Sequence, residues 1–414
     1  MDASGRAMVE AIHASPTQAV LHLSGGASQA LGWLMSVPGA SNTVLEAVVP
    51  YSRMSMIQLL GKVPSQFACR QTAEDMALMA YNRALRLSQP GFPALGVGFS
   101  GSLASTRPKL GDHRLHITSI RLHPLFLYHL CIYIIDFKSG MPHIEAYLYG
   151  VFRFHVSTRT SDKLWASSVT LSKGLRTREE EDTVSSQFLL KAIAYACKVP
   201  TTFISGLADS EIPNDFEVQF DEDQELEQLI SGQICFKVYP FSSAMSKAER
   251  KIILSGSFNP LHDGHLKLLE VASSILGEGY PCFELSAVNA DKPPLTSSQI
   301  KHRKTVIISN QPYFYKKAEL FPGSAFVIGA DTAARLINPK YYGNDYGKML
   351  EILSGCKSTG CVFLVGGRNV DGDFQVLDDF CIPEAIRDMF VSIPPEKFRM
   401  DISSTEIRNS RGLP

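Results

Sequence analysis

The stretch from residue 252 to residue 269, IILSGSFNPLHDGHLKLL, constrains the fold more than any other part of this 414-residue chain. A short apolar run stops at Gly256, where glycine permits a tight turn. Apolar residues at helical spacing begin after two histidines, His262 and His265. A strand, a glycine turn and a helix in this order predict an α/β unit whose helix start presents free backbone N–H groups to the turn.

The two histidines lie three residues apart, so a helix start would place both imidazoles on one side. Imidazoles, the free N–H groups and the helix dipole all favour an anion at such a position. We therefore expect a phosphate-binding turn formed by Gly256, Ser257, Phe258 and Asn259. Metal ligation is another interpretation of a histidine pair, but no nearby carboxylate completes a plausible zinc site. We therefore predict no metal ligands.

A second helix start of this kind is predicted near residue 404, in the sequence ISSTEIR. Ser403 followed three residues later by Glu406 is typical of a capping box. The hydroxyls of Ser404 and Thr405 can hold phosphate, and Arg408 can reach the same anion with its planar guanidinium. Two separated anion-binding helix starts indicate a ligand with several phosphates.

These two segments together carry a family resemblance. GSFNPLHDGH resembles the first signature of the HxGH nucleotidylyltransferases, especially the nicotinate/nicotinamide mononucleotide adenylyltransferases, and ISSTEIR resembles the second. The resemblance implies a Rossmann-like parallel sheet and catalytic roles for His262, His265 and Arg408. It implies nucleotidyl transfer from ATP to a phosphorylated acceptor, with release of pyrophosphate. Mg²⁺ would be held mainly by the substrate phosphates, since the sequence contains no obvious carboxylate cage.

The sequence does not identify which phosphorylated acceptor is used. Nicotinamide or nicotinate mononucleotide is the leading choice on resemblance, which places the reaction in NAD biosynthesis. The phosphates of pantetheine, choline, ethanolamine and glycerol are acceptors within the same superfamily. A non-catalytic regulatory protein that binds a pyridine nucleotide is a further alternative, although pure binding does not require both imidazoles.

Further positions outside these two segments complete the predicted site. In the sequence VIGADT, Gly329 and Asp331 resemble the strand-end G-x-D that contacts the nucleotide in these enzymes, although Asp331 alone also fits an ordinary helix cap. Lys292 is a candidate for binding the acceptor phosphate, with a solvated loop lysine as the alternative. Arg303 and Arg368 are additional basic candidates that lie outside any motif.

The N-terminal half resembles the CinA C-terminal domain, the module of nicotinamide mononucleotide amidohydrolases, most clearly in the segment SVPGAS at residues 36–41. Ser24 aligns with the serine nucleophile of that family. Met56 and Val97 stand where the family has a lysine and a threonine, and neither can activate a serine. We therefore predict a vestigial amidase site and a ligand-binding or scaffolding role, with a residual hydrolase using Ser24 as the alternative. The resemblance also implies a homo-oligomer.

Composition excludes several classes of protein. The 40 Lys and Arg residues are offset by 41 Asp and Glu residues, whereas nucleic-acid-binding proteins carry a basic excess. The N-terminus lacks the pattern of a secretory signal, and the most apolar run, residues 125–137, is too short to span a bilayer. We therefore expect small-molecule nucleotides as ligands, no nucleic-acid or membrane partner, and a cytoplasmic or nuclear location.

The sequence predicts two α/β domains. Residues 1–240 form the CinA-like domain and residues 241–414 the Rossmann-like nucleotidylyltransferase domain, with the boundary at a polar stretch that follows an acidic one. Residues 115–152 are poor in charge and rich in histidine, and the sequences flanking them nearly repeat, RLHI against RFHV. An insertion into a continuous strand and two adjacent strands of similar pattern are equally good interpretations.

Overall fold

The computed structural model describes residues 1–89, 92–105, 152–200, 206–239, 250–288, 293–301, 307–370, 373–400, 402 and 404–411. The chain divides into two compact units. The N-terminal unit comprises Met1–Ala80, Leu95–Arg159 and Leu164–Val218, and the C-terminal unit comprises Tyr81–Ala94, Thr160–Lys163 and Gln219–Pro414. The predicted boundary at residues 240 and 241 lies outside the described residues and stays a prediction.

The first part of the chain forms a six-stranded sheet in the order β2-β1-β3-β4-β5-β6. Strand β2 is parallel to β1, whereas β3, β4 and β5 are joined by antiparallel pairs. Its strands are β1 (Gln18–Ser24), β2 (Val44–Val48), β3 (Ala94–Ser102), β4 (Phe152–Arg159), β5 (Lys163–Leu171) and β6 (Asn214–Gln219). Its helices are α1 (Ala3–Ala14), α2 (Ser28–Ser36), α3 (Ala40–Thr43), α4 (Arg53–Leu60), α5 (Arg70–Leu87) and α6 (Arg178–Ala196).

Aromatic side chains from β3, β4 and α6 form the centre of the core of this unit. The ring centroids of Phe99 and Phe154 lie 5.8 Å apart, and Phe188 packs edge-on to Phe154 at 5.5 Å. In the β3–β4 pair, Ser102 lies opposite Arg153. The proposed insertion at residues 115–152 falls outside the described residues except for Phe152, so it stays a hypothesis.

The second part of the chain alternates strands and helices. Its strands are β7 (Phe236–Val238), β8 (Lys251–Gly256), β9 (Tyr280–Ser286), β10 (Ile307–Ser309), β11 (Ala325–Gly329), β12 (Val362–Gly366), β13 (Arg368–Val370), β14 (Asp373–Gln375) and β15 (Phe390–Ile393). Its α-helices are α7 (Glu222–Ile230), α8 (Asp263–Leu276), α9 (Ser297–Lys301), α10 (Phe314–Leu320), α11 (Ala330–Leu336), α12 (Tyr346–Ser358) and α13 (Ser404–Arg411). Short 3-10 helices cover Pro339–Tyr342, Leu377–Asp379 and Glu384–Met389.

Seven of these strands form one sheet in the order β15-β12-β11-β8-β9-β10-β7. All neighbouring pairs are parallel except β10 with β7. Numbered along the chain, the six parallel strands follow the doubly wound order 3-2-1-4-5-6. The expected α/β class and Rossmann-like parallel sheet are therefore confirmed.

The strand order reverses between β8 and β11, where Leu254 pairs with Val327. Ligands of doubly wound sheets bind at such a switch point, beyond the carboxyl ends of the strands. Strand β8 ends at Gly256 and β11 ends at Gly329, so both predicted glycine turns lie at this edge. No helix in the described part of the chain is long and apolar enough to cross a membrane.

Candidate functional site

The loop after β8 is built around Phe258. This residue has a positive φ of 44° and a side chain that is only 2% exposed. A Cβ atom at Gly256 would lie 2.8 Å from Cε1 of Phe258, so glycine is required there for close packing. The Phe258 ring meets the ring of His265 edge-on, with 5.1 Å between centroids. The buried phenylalanine thus fixes the loop against the start of α8.

The two predicted histidines lie together at the N-terminus of α8. The His262 and His265 rings stack with 3.8 Å between centroids. The backbone N–H of His262 donates to Nδ1 of His265 over 3.3 Å, so His265 carries its ring proton on Nε2. Nδ1 of His262 is buried and has no hydrogen-bond partner within the described part of the chain.

Both imidazoles are held in the neutral form. Burial, the neighbouring His262 and the positive charge of Arg368 lower the pKa of His265 to about 4. Burial and Arg368 also lower the pKa of His262, against an opposing effect of Asp263. A bound phosphate would reverse the sign of the local field and favour the protonated rings.

The second predicted motif packs directly on the first. Ser404 Oγ donates to the carbonyl oxygen of Pro260 over 3.0 Å, and Arg408 Nη1 donates to the carbonyl oxygen of Asn259 over 2.6 Å. Helix α13 therefore begins beside the loop that leads into His262. The structure brings together two segments that are about 140 residues apart in sequence.

The third predicted segment lies at the end of β11. Gly329 precedes α11, and Asp331 belongs to the first turn of that helix. Oδ1 of Asp331 is 3.8 Å from Nε of Arg368, which begins β13 just beyond β12. Arg368 lies outside the predicted motifs, although its position after two glycines at a strand end is a usable signal.

Several predicted positions are not tested by this geometry. Lys292, Arg303 and Ser403 lie outside the described residues, and Thr405 is described only by its helical backbone. Ser257 lies on the loop after β8 and is exposed. No group of three or more His, Cys, Asp or Glu side chains suited to a metal ion occurs among the residues that the structure describes.

Ser24, the predicted nucleophile of a vestigial amidase site, lies in the N-terminal unit. Ser24 ends β1, and its hydroxyl donates to the carbonyl oxygen of Pro50 over 3.2 Å. Met56 and Val97 are both buried, and Met56 packs with Leu60 and Met76. In the described residues, no imidazole or carboxylate is hydrogen-bonded to Ser24. Among the residues that the structure describes, the serine therefore has no activating partner.

Comparison with known proteins bears on the region that holds the histidine pair. Residues 253–410 match the cytidylyltransferase-like family model. This match spans both motif segments and supports nucleotidyl transfer as the general chemistry of the region. It covers well under half of the chain.

The other comparisons do not identify the fold or the function of the N-terminal unit. A solved structure of the competence/damage inducible protein CihA from Agrobacterium tumefaciens matches 48% of this chain and 98% of its own, at 16% identity. Its TM-score of 0.30 is too low to establish a shared fold. No curated protein sequence matches the chain significantly.

Proposed function

We propose that this protein transfers an adenylyl group from ATP to nicotinamide or nicotinate mononucleotide and releases pyrophosphate. The observation that carries the proposal is the pair of hydrogen bonds from Ser404 and Arg408 to the loop after β8. These bonds join the two segments that we predict to bind phosphate, at the switch point of a doubly wound sheet, where nucleotides bind in such folds. The cytidylyltransferase-like match of residues 253–410 supports the same general chemistry.

The proposed reaction needs no protein nucleophile. A phosphate oxygen of the acceptor attacks the α-phosphorus of ATP, and the bond between that phosphorus and the bridging oxygen to the β-phosphorus breaks. Such a transfer depends on positioning and on stabilising charge in the transition state. Nε2–H of His265 is available to donate to a phosphate oxygen, because Nδ1 already accepts from the backbone. Arg408 supplies a permanent positive charge at the loop after β8.

Mg²⁺ is part of the proposal. The described residues offer no carboxylate cage, so the ion would be held mainly by phosphate oxygens and water, as Mg²⁺ often is. When bound, it would neutralise phosphate charge. The protein's own task is then to orient the phosphates with imidazole, guanidinium and hydroxyl groups.

For the N-terminal unit we propose a ligand-binding or scaffolding role without amidase activity. The contacts of Ser24 support this proposal, because its hydroxyl proton points to the carbonyl oxygen of Pro50 rather than to a base. Buried Met56 and Val97 offer neither a base nor a cation.

The test is a substrate panel with the full-length protein and Mg²⁺. ATP and CTP serve as donors, and the acceptors are the two pyridine mononucleotides and the phosphates of pantetheine, choline, ethanolamine and glycerol. We expect pyrophosphate and a dinucleotide only with ATP and a pyridine mononucleotide. Turnover of another pair would retain the mechanism and reject the assigned substrates. ATP binding without turnover of any pair would favour a regulatory protein instead.

A further inference from the structure

Arg368 lies at the same edge of the sheet as the histidine pair, although no motif includes it. Its neighbouring strands β11 and β12 are paired in register, with Gly329 opposite Gly366. Arg368 lies two residues after Gly366, just beyond the end of β12. A Cβ atom at Gly329 would lie 3.4 Å from Cδ of Arg368 and 2.6 Å from Oδ1 of Asp331. The absence of a side chain at Gly329 thus leaves room for the arginine stem and the carboxylate.

The contact between Arg368 and Asp331 is poorly suited to a structural role. The two charged atoms are 3.8 Å apart, and the side chains are 49% and 30% exposed. Exposed ion pairs with long separations add little to folding stability. Within the described residues, we find no other hydrogen bond or ion pair of the Arg368 guanidinium, so most of its N–H donors are available to a ligand.

The positive charge of Arg368 acts on both histidines. It lowers the pKa of His262 and of His265, in each case together with burial. A guanidinium held near two neutral imidazoles makes an electropositive group of N–H donors. This arrangement suits a phosphate, which a guanidinium binds with two parallel hydrogen bonds and to which an imidazole N–H can also donate.

We propose that Arg368 binds a phosphate group of the substrate and that Asp331 orients its guanidinium for this contact. The proposal rests on the proposed nucleotidyl transfer and adds a phosphate-binding residue to that site. Arg368 would approach the ligand from the start of β13, whereas Arg408 would approach from α13. The phosphate belongs either to the triphosphate or to the acceptor mononucleotide, and binding measurements distinguish these two sources.

The experiment measures dissociation constants by calorimetry for wild type, Arg368→Gln and the matched control Arg387→Gln. Arg387 is an exposed arginine in the 3-10 helix Glu384–Met389 of the same unit, outside the site. The probes are inorganic tripolyphosphate, with and without Mg²⁺, and nicotinamide mononucleotide. We expect Arg368→Gln to raise the dissociation constant of one probe about tenfold or more, the loss expected for a charge-assisted hydrogen bond. The control should leave both constants unchanged.

The probe that loses affinity identifies the phosphate that Arg368 binds. A change of less than about fivefold for both probes, or no binding of either probe by wild type, overturns the proposal. Arg368→Lys should recover part of the affinity, because it restores the charge without the planar fork. Pyrophosphate release by wild type is recorded separately. Its absence rejects the proposed function, while the binding ratios still decide the role of Arg368.

The orienting role of Asp331 has its own readout. If Asp331 acts through Arg368, Asp331→Asn should weaken binding in wild type and have no further effect in Arg368→Gln. Additive losses in the double variant would contradict an orienting role. Equal melting temperatures of the four proteins exclude an effect through folding.

Discussion

Nη1 of Arg408 lies 2.6 Å from the carbonyl oxygen of Asn259 and donates a hydrogen bond to it. The contact joins the last described helix of the chain to the loop that precedes His262. The guanidinium therefore has two tasks in our account, since it fixes the backbone of the loop and brings a positive charge to the phosphate site.

Replacing Arg408 should separate those tasks. Arg408→Met removes the charge and the hydrogen bond, and we expect kcat/KM to fall about 100-fold, near the upper range for a charge-assisted hydrogen bond. Arg408→Lys keeps the charge, so a loss closer to tenfold is expected. Steady-state kinetics with Arg387→Gln as the control measures both. Equal activity of Arg408→Met and wild type would rule out a role in phosphate binding.

The histidine pair should make the C-terminal unit less stable in acid. The pKa of His265 is about 4 in the folded protein, against about 6.5 for an unperturbed histidine. Between these values the unfolded chain binds a proton that the folded chain does not, so stability falls as the pH drops from 6.5 to 4. NMR titration of the His265 ring, together with urea unfolding across this range, tests the prediction. His265→Gln should show a shallower decline, and a ring that titrates near 6.5 would contradict it.

A buried ion pair joins strand β9 to helix α10 in the C-terminal unit. Nζ of Lys317 is 2.7 Å from Oε2 of Glu284, and these side chains are 3% and 0% exposed. Ser309 donates a second hydrogen bond to the same carboxylate. Lys317→Met would leave the carboxylate buried without its partner, at a cost of about 3–5 kcal/mol in unfolding free energy.

The neighbouring pair provides the control. Lys316 and Glu319 also form an ion pair, but both side chains are about half exposed. Lys316→Met should therefore change the unfolding free energy by less than about 1 kcal/mol. Urea unfolding of both variants measures the difference. Similar effects of the two substitutions would show that the buried pair has no special role in stability.

Ser24 should be dispensable for catalysis. We expect no ammonia release from nicotinamide mononucleotide by wild type and no change in pyrophosphate release in Ser24→Ala, because the hydroxyl is bonded only to the carbonyl oxygen of Pro50 among the described residues. An ammonia assay on the full-length protein tests this. Ammonia release that disappears in Ser24→Ala would establish an active hydrolase and reject the vestigial site.

The parts of the site that the sequence predicts are the local ones. The segment from β8 to α8 is specified by neighbouring residues: an apolar run, a glycine and a helical pattern that begins at His262. Residue spacing alone cannot show that Arg408 reaches Asn259. The link between the two segments rests on the family resemblance. The expected α/β class follows because strand-like and helix-like spacings of apolar residues alternate along the chain, and such spacings can be recognised in short stretches of sequence.

Other features depend on long-range packing and leave weak local signals. Arg368 follows two glycines at a strand end, but only the pairing of β12 with β11 brings it to Asp331. Lys317 follows another lysine in a short helix, and nothing in the adjacent sequence indicates that its side chain is buried. Its burial requires Glu284, which lies 33 residues earlier on β9. Neither pairing follows from helical or strand periodicity.

The most direct test of the central claim is pyrophosphate release by wild type and by His265→Ala, with Mg²⁺, ATP and nicotinamide mononucleotide. We predict release by wild type and a loss of about 10²–10³ in kcat for the variant, the usual effect of removing one donor that stabilises transition-state charge. The melting temperature of the variant should show that it remains folded. Equal rates for the two folded proteins, or no release by wild type, would contradict the account.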